Sequence, residues 1–167
     1  MMTKKKSKIK IILFAFILAL FSFALLNTFN KSDKVQNSIA ENKINNILKI
    51  NNNIFEVEIA DTDKKREKGL SDRASLATNS AMLFIFDTSA TQGFWMKDMA
   101  FDIDIIWIDA SKKIIDIERN VSKNSYNEIN PKLSKTLFSP APIKYVLEIN
   151  AGLSEKLNIK VGDAVEF

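Results

Sequence analysis

The chain contains neither cysteine nor histidine. Without cysteine there is no disulfide, no thiol nucleophile and no lipoprotein anchor. Without either residue, zinc sites built on them and every Ser–His or Cys–His catalytic arrangement are excluded. Acid–base chemistry falls to Asp, Glu, Lys or Tyr. Proline is scarce, and all three, Pro131, Pro140 and Pro142, sit in one stretch. The folded region also lacks an excess of base. Net charge is +4 over 167 residues, yet residues 53–167 carry 15 Lys+Arg against 18 Asp+Glu. Phosphate recognition wants a basic face, so no nucleic-acid partner is expected.

The positive charge belongs to the N-terminus. Lys4, Lys5, Lys6, Lys8 and Lys10 precede a run from Ile11 to Leu26 in which only Ser22 is not apolar. As a helix this run spans about 24 Å, and Ile9 and the stretch to Phe29 extend it toward the roughly 30 Å of a bilayer core. Residues 1–29 therefore read as a signal anchor or a signal peptide, with residues 9–29 as the membrane partner. A cleavage at Ser22-Phe23-Ala24 would fall inside the apolar run, which favours the anchor. The lysines stay cytoplasmic, so the rest of the chain is expected on the extracytoplasmic side. It is then single-pass in the cell membrane, or periplasmic or secreted after cleavage.

Residues 30–53 hold eight asparagines and scattered lysines, with no aromatic residue, glycine or proline. They read as a polar linker. Ile44, Ile47 and Leu48 have helical spacing, so a short helix is allowed there.

Residues 54–167 read as the domain. Phe55, Val57 and Ile59 alternate with Glu56 and Glu58, the pattern of a half-buried strand. Asp61-Thr62 can cap a short helix that Gly69 closes. Met82 to Phe86 suits a buried strand. From Phe101 the chain alternates again: Phe101, Ile103, Ile105 and Trp107 share one face, and Asp102, Asp104, Ile106 and Ile108 the other. Asp109 to Lys112 turns the chain into an antiparallel partner through Glu118. Asn120 to Pro142 is a long irregular stretch of the kind that forms lids and binding loops. Ile143 to Ile149 alternates once more, and Gly162-Asp163 reads as a turn before a last strand. The expected fold is mainly β, α+β at the margin. It is a small antiparallel β barrel or sandwich with one to three short helices behind the N-terminal transmembrane or signal helix.

Chemistry gathers between Gly93 and Asp109, which hold both tryptophans, Trp95 and Trp107, and the acids Asp98, Asp102, Asp104 and Asp109. Asp104 continues into Ile106 and Ile108, so it is the acid of this group most exposed to desolvation. A buried carboxylate needs a partner or its pKa rises. Arg73, Lys97 and Arg66 are the candidate partners. Glu148, between Leu147 and Ile149, is a second acid of this kind. Two readings follow: a pocket floored by Trp95 and lined by Asp104, Arg73, Lys97 and Glu148, or a structural ion pair under a loop. Paired carboxylates could also serve glycoside cleavage or a hard cation.

Several motifs recur in one order: Gly69-Leu70 with Arg73 and Leu76; Met82-Leu83-Phe84; Phe94-Trp95-Met96-Lys97; Ile103-Asp104-Ile105 closing on Ile108-Asp109; Tyr145-Val146-Leu147-Glu148 with Ala151-Gly152; Gly162-Asp163. This order and spacing resembles the family known as domain of unknown function 192, from about Phe55 to Val165. The resemblance implies a small, mainly β domain, commonly carried behind an export signal or membrane anchor, with no established activity or cofactor. It carries over Arg66, Gly69, Arg73, Trp95, Met96, Lys97, Asp104 and Glu148. The chain departs from the pattern at Ser71, Ala81, Asp98-Met99 and Asp102. The expectation is a membrane-tethered binding or accessory module whose ligand is a small molecule or envelope component, with Arg66, Arg73, Trp95, Met96, Lys97, Asp104 and Glu148 around the pocket. The alternatives are an envelope hydrolase using Asp104 and Glu148, and a purely structural module. No cofactor or metal is expected.

Overall fold

The computed structural model describes residues 46–167. The membrane or signal helix expected over residues 1–29, and the linker as far as Asn45, lie outside the described residues. No helix among the described residues is long and apolar enough to cross a membrane.

Polypeptide that the sequence assigns to the linker is already part of the sheet. Ile47–Ile50 is strand β1, paired antiparallel with β2, Asn53–Ala60. The spacing of Ile47 and Leu48 suggested a helix. A two-residue turn decides otherwise, because Asn51 takes φ 55°, which asparagine tolerates, and folds Ile50 back onto Asn53. Leu48 and Ile50 then become fully buried.

Helix α1, Asp63–Lys68, follows. Thr62 caps it by accepting from the Lys65 N–H, and Gly69 closes it at φ 48°. Strand β3, Ser80–Ala90, comes next and runs parallel to β2. Among the described residues this is the one parallel pair in an otherwise antiparallel sheet, and α1 with residues 69–79 carries the chain back across the sheet, the kind of connection a parallel pair requires. All other pairings are antiparallel: β5, Ile103–Ile108, with β6, Ile114–Val121, and with β8, Ile143–Asn150; β8 with β3; and β9, Val165–Glu166, with β1. The seven strands lie in the order β6-β5-β8-β3-β2-β1-β9. A bridge between Lys113 and Ala164 brings the two edges of the sheet together at one point. The result is one curled, mainly β half-barrel, neither a sandwich nor a fully closed barrel, with two short α-helices among the described residues, the second being α2, Leu153–Lys156.

Both faces of the central strands are covered, and every residue of β5 is buried. Leu48, Phe55, Leu83, Ile106, Ile108, Leu147 and Ile149 fill one core. Met82, Phe84, Ile105, Trp107 and Val146 face the other way, under Leu70, Met96 and Leu137. Residues 122–142 form part of that second cover. They contain two single 3₁₀ turns, at Lys123–Ser125 and Pro131–Leu133. They also contain β7, Leu137–Phe138, which pairs with β4, Gly93–Phe94. This long stretch is thus pinned to the segment bearing Trp95.

Candidate functional site

Asp104 and Glu148, the two strand acids singled out by the sequence, occupy opposite faces of the sheet. Asp104 has the parity of Ile106 and Ile108, and Glu148 that of Val146, so the two look into different cores. Asp104 is fully buried. Its Oδ1 accepts the N–H groups of Asn120 at 2.8 Å and Gly152 at 3.0 Å. Its Oδ2 accepts the N–H of Ser154 at 2.9 Å and the Ser154 hydroxyl at 2.7 Å. No cation is among these partners, contrary to the pairing with Arg73, Lys97 or Arg66 expected from sequence. The reason is local. Gly152 opens α2 without a side chain to cap it, and Asp104 supplies the cap from across the fold. Charge-assisted bonds from backbone and hydroxyl donors leave this carboxylate no free lone pair for a ligand.

Glu148 is in the opposite condition. It is 5% exposed, and its enclosed Oε2 has no hydrogen-bond partner. Burial pushes its carboxyl up to about 8, against a weaker pull from the charge of Arg73. Arg73 is itself engaged at both Nη atoms by Glu58, with Nη2 2.7 Å from Oε2 of that residue. That contact holds the Glu58 carboxyl below its ordinary range.

Glu148 lies at a cavity of about 210 Å³ between α1 and the segment 92–99. Phe84, Phe86, Phe94, Trp95 and Met99 give it apolar walls, and Arg66, Glu67, Ser71 and Gln92 contribute polar groups. Phe94 stands nearly perpendicular to Phe84 and Phe86, at 82° and 78°, with centroids 4.9 and 6.4 Å away. It packs edge-on against Trp107 beneath, at 5.5 Å. Arg66 donates to the Ile85 carbonyl and to Asp63, both at 2.6 Å, and lies 5.4 Å from the centre of the Phe86 ring. The rim is stitched where the Ser71 hydroxyl donates to the Lys97 carbonyl and the Asp72 N–H to the Asp98 carbonyl. Gly69 ends α1 beside the Phe84 ring at φ 48° and ψ −135°, a conformation that glycine adopts without strain.

Of the residues named from sequence, the fold brings Arg66, Trp95 and Glu148 together at this cavity. Trp95 is 50% exposed and also borders a more open depression that contains Lys97 and Asp98. Met96 is buried in the core, Arg73 lines a separate surface groove with Glu58, and Asp104 belongs to the far face. Phe84, Phe86 and Phe94 were not anticipated as lining. Their signal was present: Phe84 and Phe86 share the parity of Met82, and Phe94 adjoins Trp95. Among the described residues no group of three or more Asp or Glu side chains is placed to hold a metal ion.

The profile of DUF192, described as Uncharacterized ACR, matches residues 46–167, and the chain belongs to that family. Its curated relatives include UPF0127 protein TK1120 of Thermococcus kodakarensis, 28% identical over 113 residues that cover 66% of this chain and 64% of the relative. A UPF0127 protein of Thermococcus sibiricus is 30% identical over 66% of this chain and 65% of its own. The match thus spans just under two thirds of the length of these relatives. Among solved structures, a protein of unknown function from Novosphingobium aromaticivorans superposes with TM-score 0.64 at 29% identity, over 72% of this chain and 84% of that one. One from Sinorhizobium meliloti, named a putative transcription regulator, superposes with TM-score 0.62 at 29% identity, over 72% and 89%.

Proposed function

We propose that the domain is an extracytoplasmic binding or accessory module, tethered to the membrane through residues 9–29, that takes a small ligand into the cavity beside Glu148. One observation carries this reading: a buried carboxyl whose Oε2 has no partner lines an aromatic-walled cavity. An unsatisfied buried polar group costs about 1–3 kcal/mol, and more when charged. Asp104, by contrast, spends its lone pairs on the fold. A concave apolar site with a few polar groups is the common form of a ligand pocket. At roughly 30 Å³ per water-sized group, this one accommodates about six or seven heavy atoms. The excess of acid over base in residues 53–167 argues against a nucleic-acid ligand. The hydrolase alternative loses support, since Asp104 and Glu148 face opposite sides of the sheet and cannot flank one scissile bond.

A thermal-shift screen of small polar and charged compounds tests the site. A ligand of the cavity stabilises the wild type and stabilises Glu148→Gln and Trp95→Ala much less. Equal shifts in all three proteins, or none in any, would remove the cavity as the site. Fractionation tests the tether: the full chain is expected in the membrane pellet and residues 46–167 in the supernatant.

A further inference from the structure

We infer that the cavity accepts a small organic ammonium ion, with the Glu148 carboxylate as its counter-ion and Phe84, Phe86, Phe94 and Trp95 around it. The inference rests on reading the cavity as a ligand site and names the ligand's chemical class. Three observations point to a monovalent organic cation.

The first is the missing counter-charge. Glu148 is enclosed, and its Oε2 accepts no hydrogen bond. The cation whose field reaches it, Arg73, is held at both Nη atoms by Glu58. The other cations at the rim also have acids of their own, Arg66 with Asp63 and Lys68 with Asp72. The strand residues flanking Glu148 in register, Met82 and Ile105, are apolar. Glu67 is the other acid at the cavity, on α1.

The second is the wall chemistry. Phe84, Phe86, Phe94 and Trp95 line the cavity, and a desolvated positive charge is attracted to aromatic rings through their quadrupoles. Arg66, which also lines the cavity, already lies over Phe86 in this way, at 5.4 Å.

The third is exclusion. A hard divalent cation such as Ca²⁺ wants six or more oxygens, and the carboxylates lining this cavity are Glu148 and Glu67. A polyhydroxylated ligand would carry most of its hydroxyls into aromatic walls without partners.

Binding a cation favours ionised Glu148. With its carboxyl up at about 8 in the empty protein, cation affinity rises as pH rises toward that value and levels off above it. A neutral ligand accepting a hydrogen bond from the protonated carboxyl shows the reverse trend.

Titration calorimetry on the full chain in detergent decides, using tert-butylammonium and its uncharged counterpart tert-butanol, with acetamide as a neutral polar probe. tert-Butylammonium is expected to bind, with affinity about tenfold higher at pH 7.5 than at pH 6.5 and a smaller gain to pH 8.5. Glu148→Gln is expected to lose at least about tenfold at pH 8.5 and to show no pH trend. The wild-type pH trend stands as a separate readout should that variant not fold. If tert-butanol or acetamide binds as tightly as the ammonium, the cavity remains a ligand site and the ammonium assignment falls. If no probe binds, the cavity reading falls with it.

Discussion

Two acids with the same sequence context meet opposite fates at the scale of single residues. Asp104 and Glu148 both sit between isoleucines or leucines on buried strands. Asp104 is surrounded by donors: two peptide N–H groups on one oxygen, a peptide N–H and a hydroxyl on the other. Asp104→Asn puts an NH₂ where acceptors are needed and leaves buried donors facing a donor. A loss of about 3 kcal/mol or more in urea unfolding is expected, without a direct effect at the cavity. Glu148 has the reverse sign. Its carboxyl is raised from the ordinary 4.5 to about 8 by burial. A raised carboxyl stabilises the fold fully below its unfolded pKa, and that stability drains away as pH rises through the folded value. The wild type is therefore expected to lose stability relative to Glu148→Gln between about pH 4.5 and 8, by up to a few kcal/mol, and to run parallel to it above. Urea midpoints of the two proteins across that range check this. Sequence showed that both acids needed an explanation. It could not show which had donors, because Asn120, Gly152 and Ser154 come from two other segments that only the curl of the sheet brings to Asp104.

Among the elements, α1 decides the cavity. It buries no residue, so its six residues hold by their ends and by Arg66 reaching the Ile85 carbonyl. Yet Arg66, Glu67 and Lys68 form one side of the site. Thr62→Ala removes the cap and is expected to cost about 1 kcal/mol. It is also expected to weaken ligand binding, although Thr62 does not line the cavity; calorimetry and urea unfolding on the same variant separate the two effects. The caps themselves were legible, Thr62 and Gly69 standing where the pattern put them. The parallel pairing of β2 with β3 was not, since alternation in Ile54–Ala60 reports a face and not a direction. Strand β1 was missed because its four residues sit among asparagines, which read as tether until Asn51 is seen to turn.

For the whole molecule, the boundary of the folding unit follows from β1. Leu48 and Ile50 are fully buried, and β1 is the strand that joins β9 to the sheet. Residues 46–167 are expected to fold alone. Residues 53–167 lose both side chains and are expected to be less stable by about 3–6 kcal/mol, read from thermal and urea melts. The mainly β class was readable from alternation alone, in Phe55–Ile59, Phe101–Trp107 and Ile143–Ile149. The curl into a half-barrel was not, because it depends on the Lys113–Ala164 bridge between segments some fifty residues apart. The site was half legible for the same reason: Trp95 and Glu148 drew attention as an aromatic and a buried acid, whereas the wall of Phe84, Phe86 and Phe94 read as ordinary core.

Glu148 is a buried carboxyl with an unpartnered Oε2, and on our proposal a ligand's positive charge completes it. Its most direct test is the ¹³C carboxyl resonance of Glu148, followed by NMR from pH 4 to 10 in residues 46–167, with and without saturating tert-butylammonium. The expected midpoint is near 8 in the free protein, moving down by a unit or more when the cation is present. A midpoint in the ordinary glutamate range near 4.5, unmoved by the cation, would contradict it.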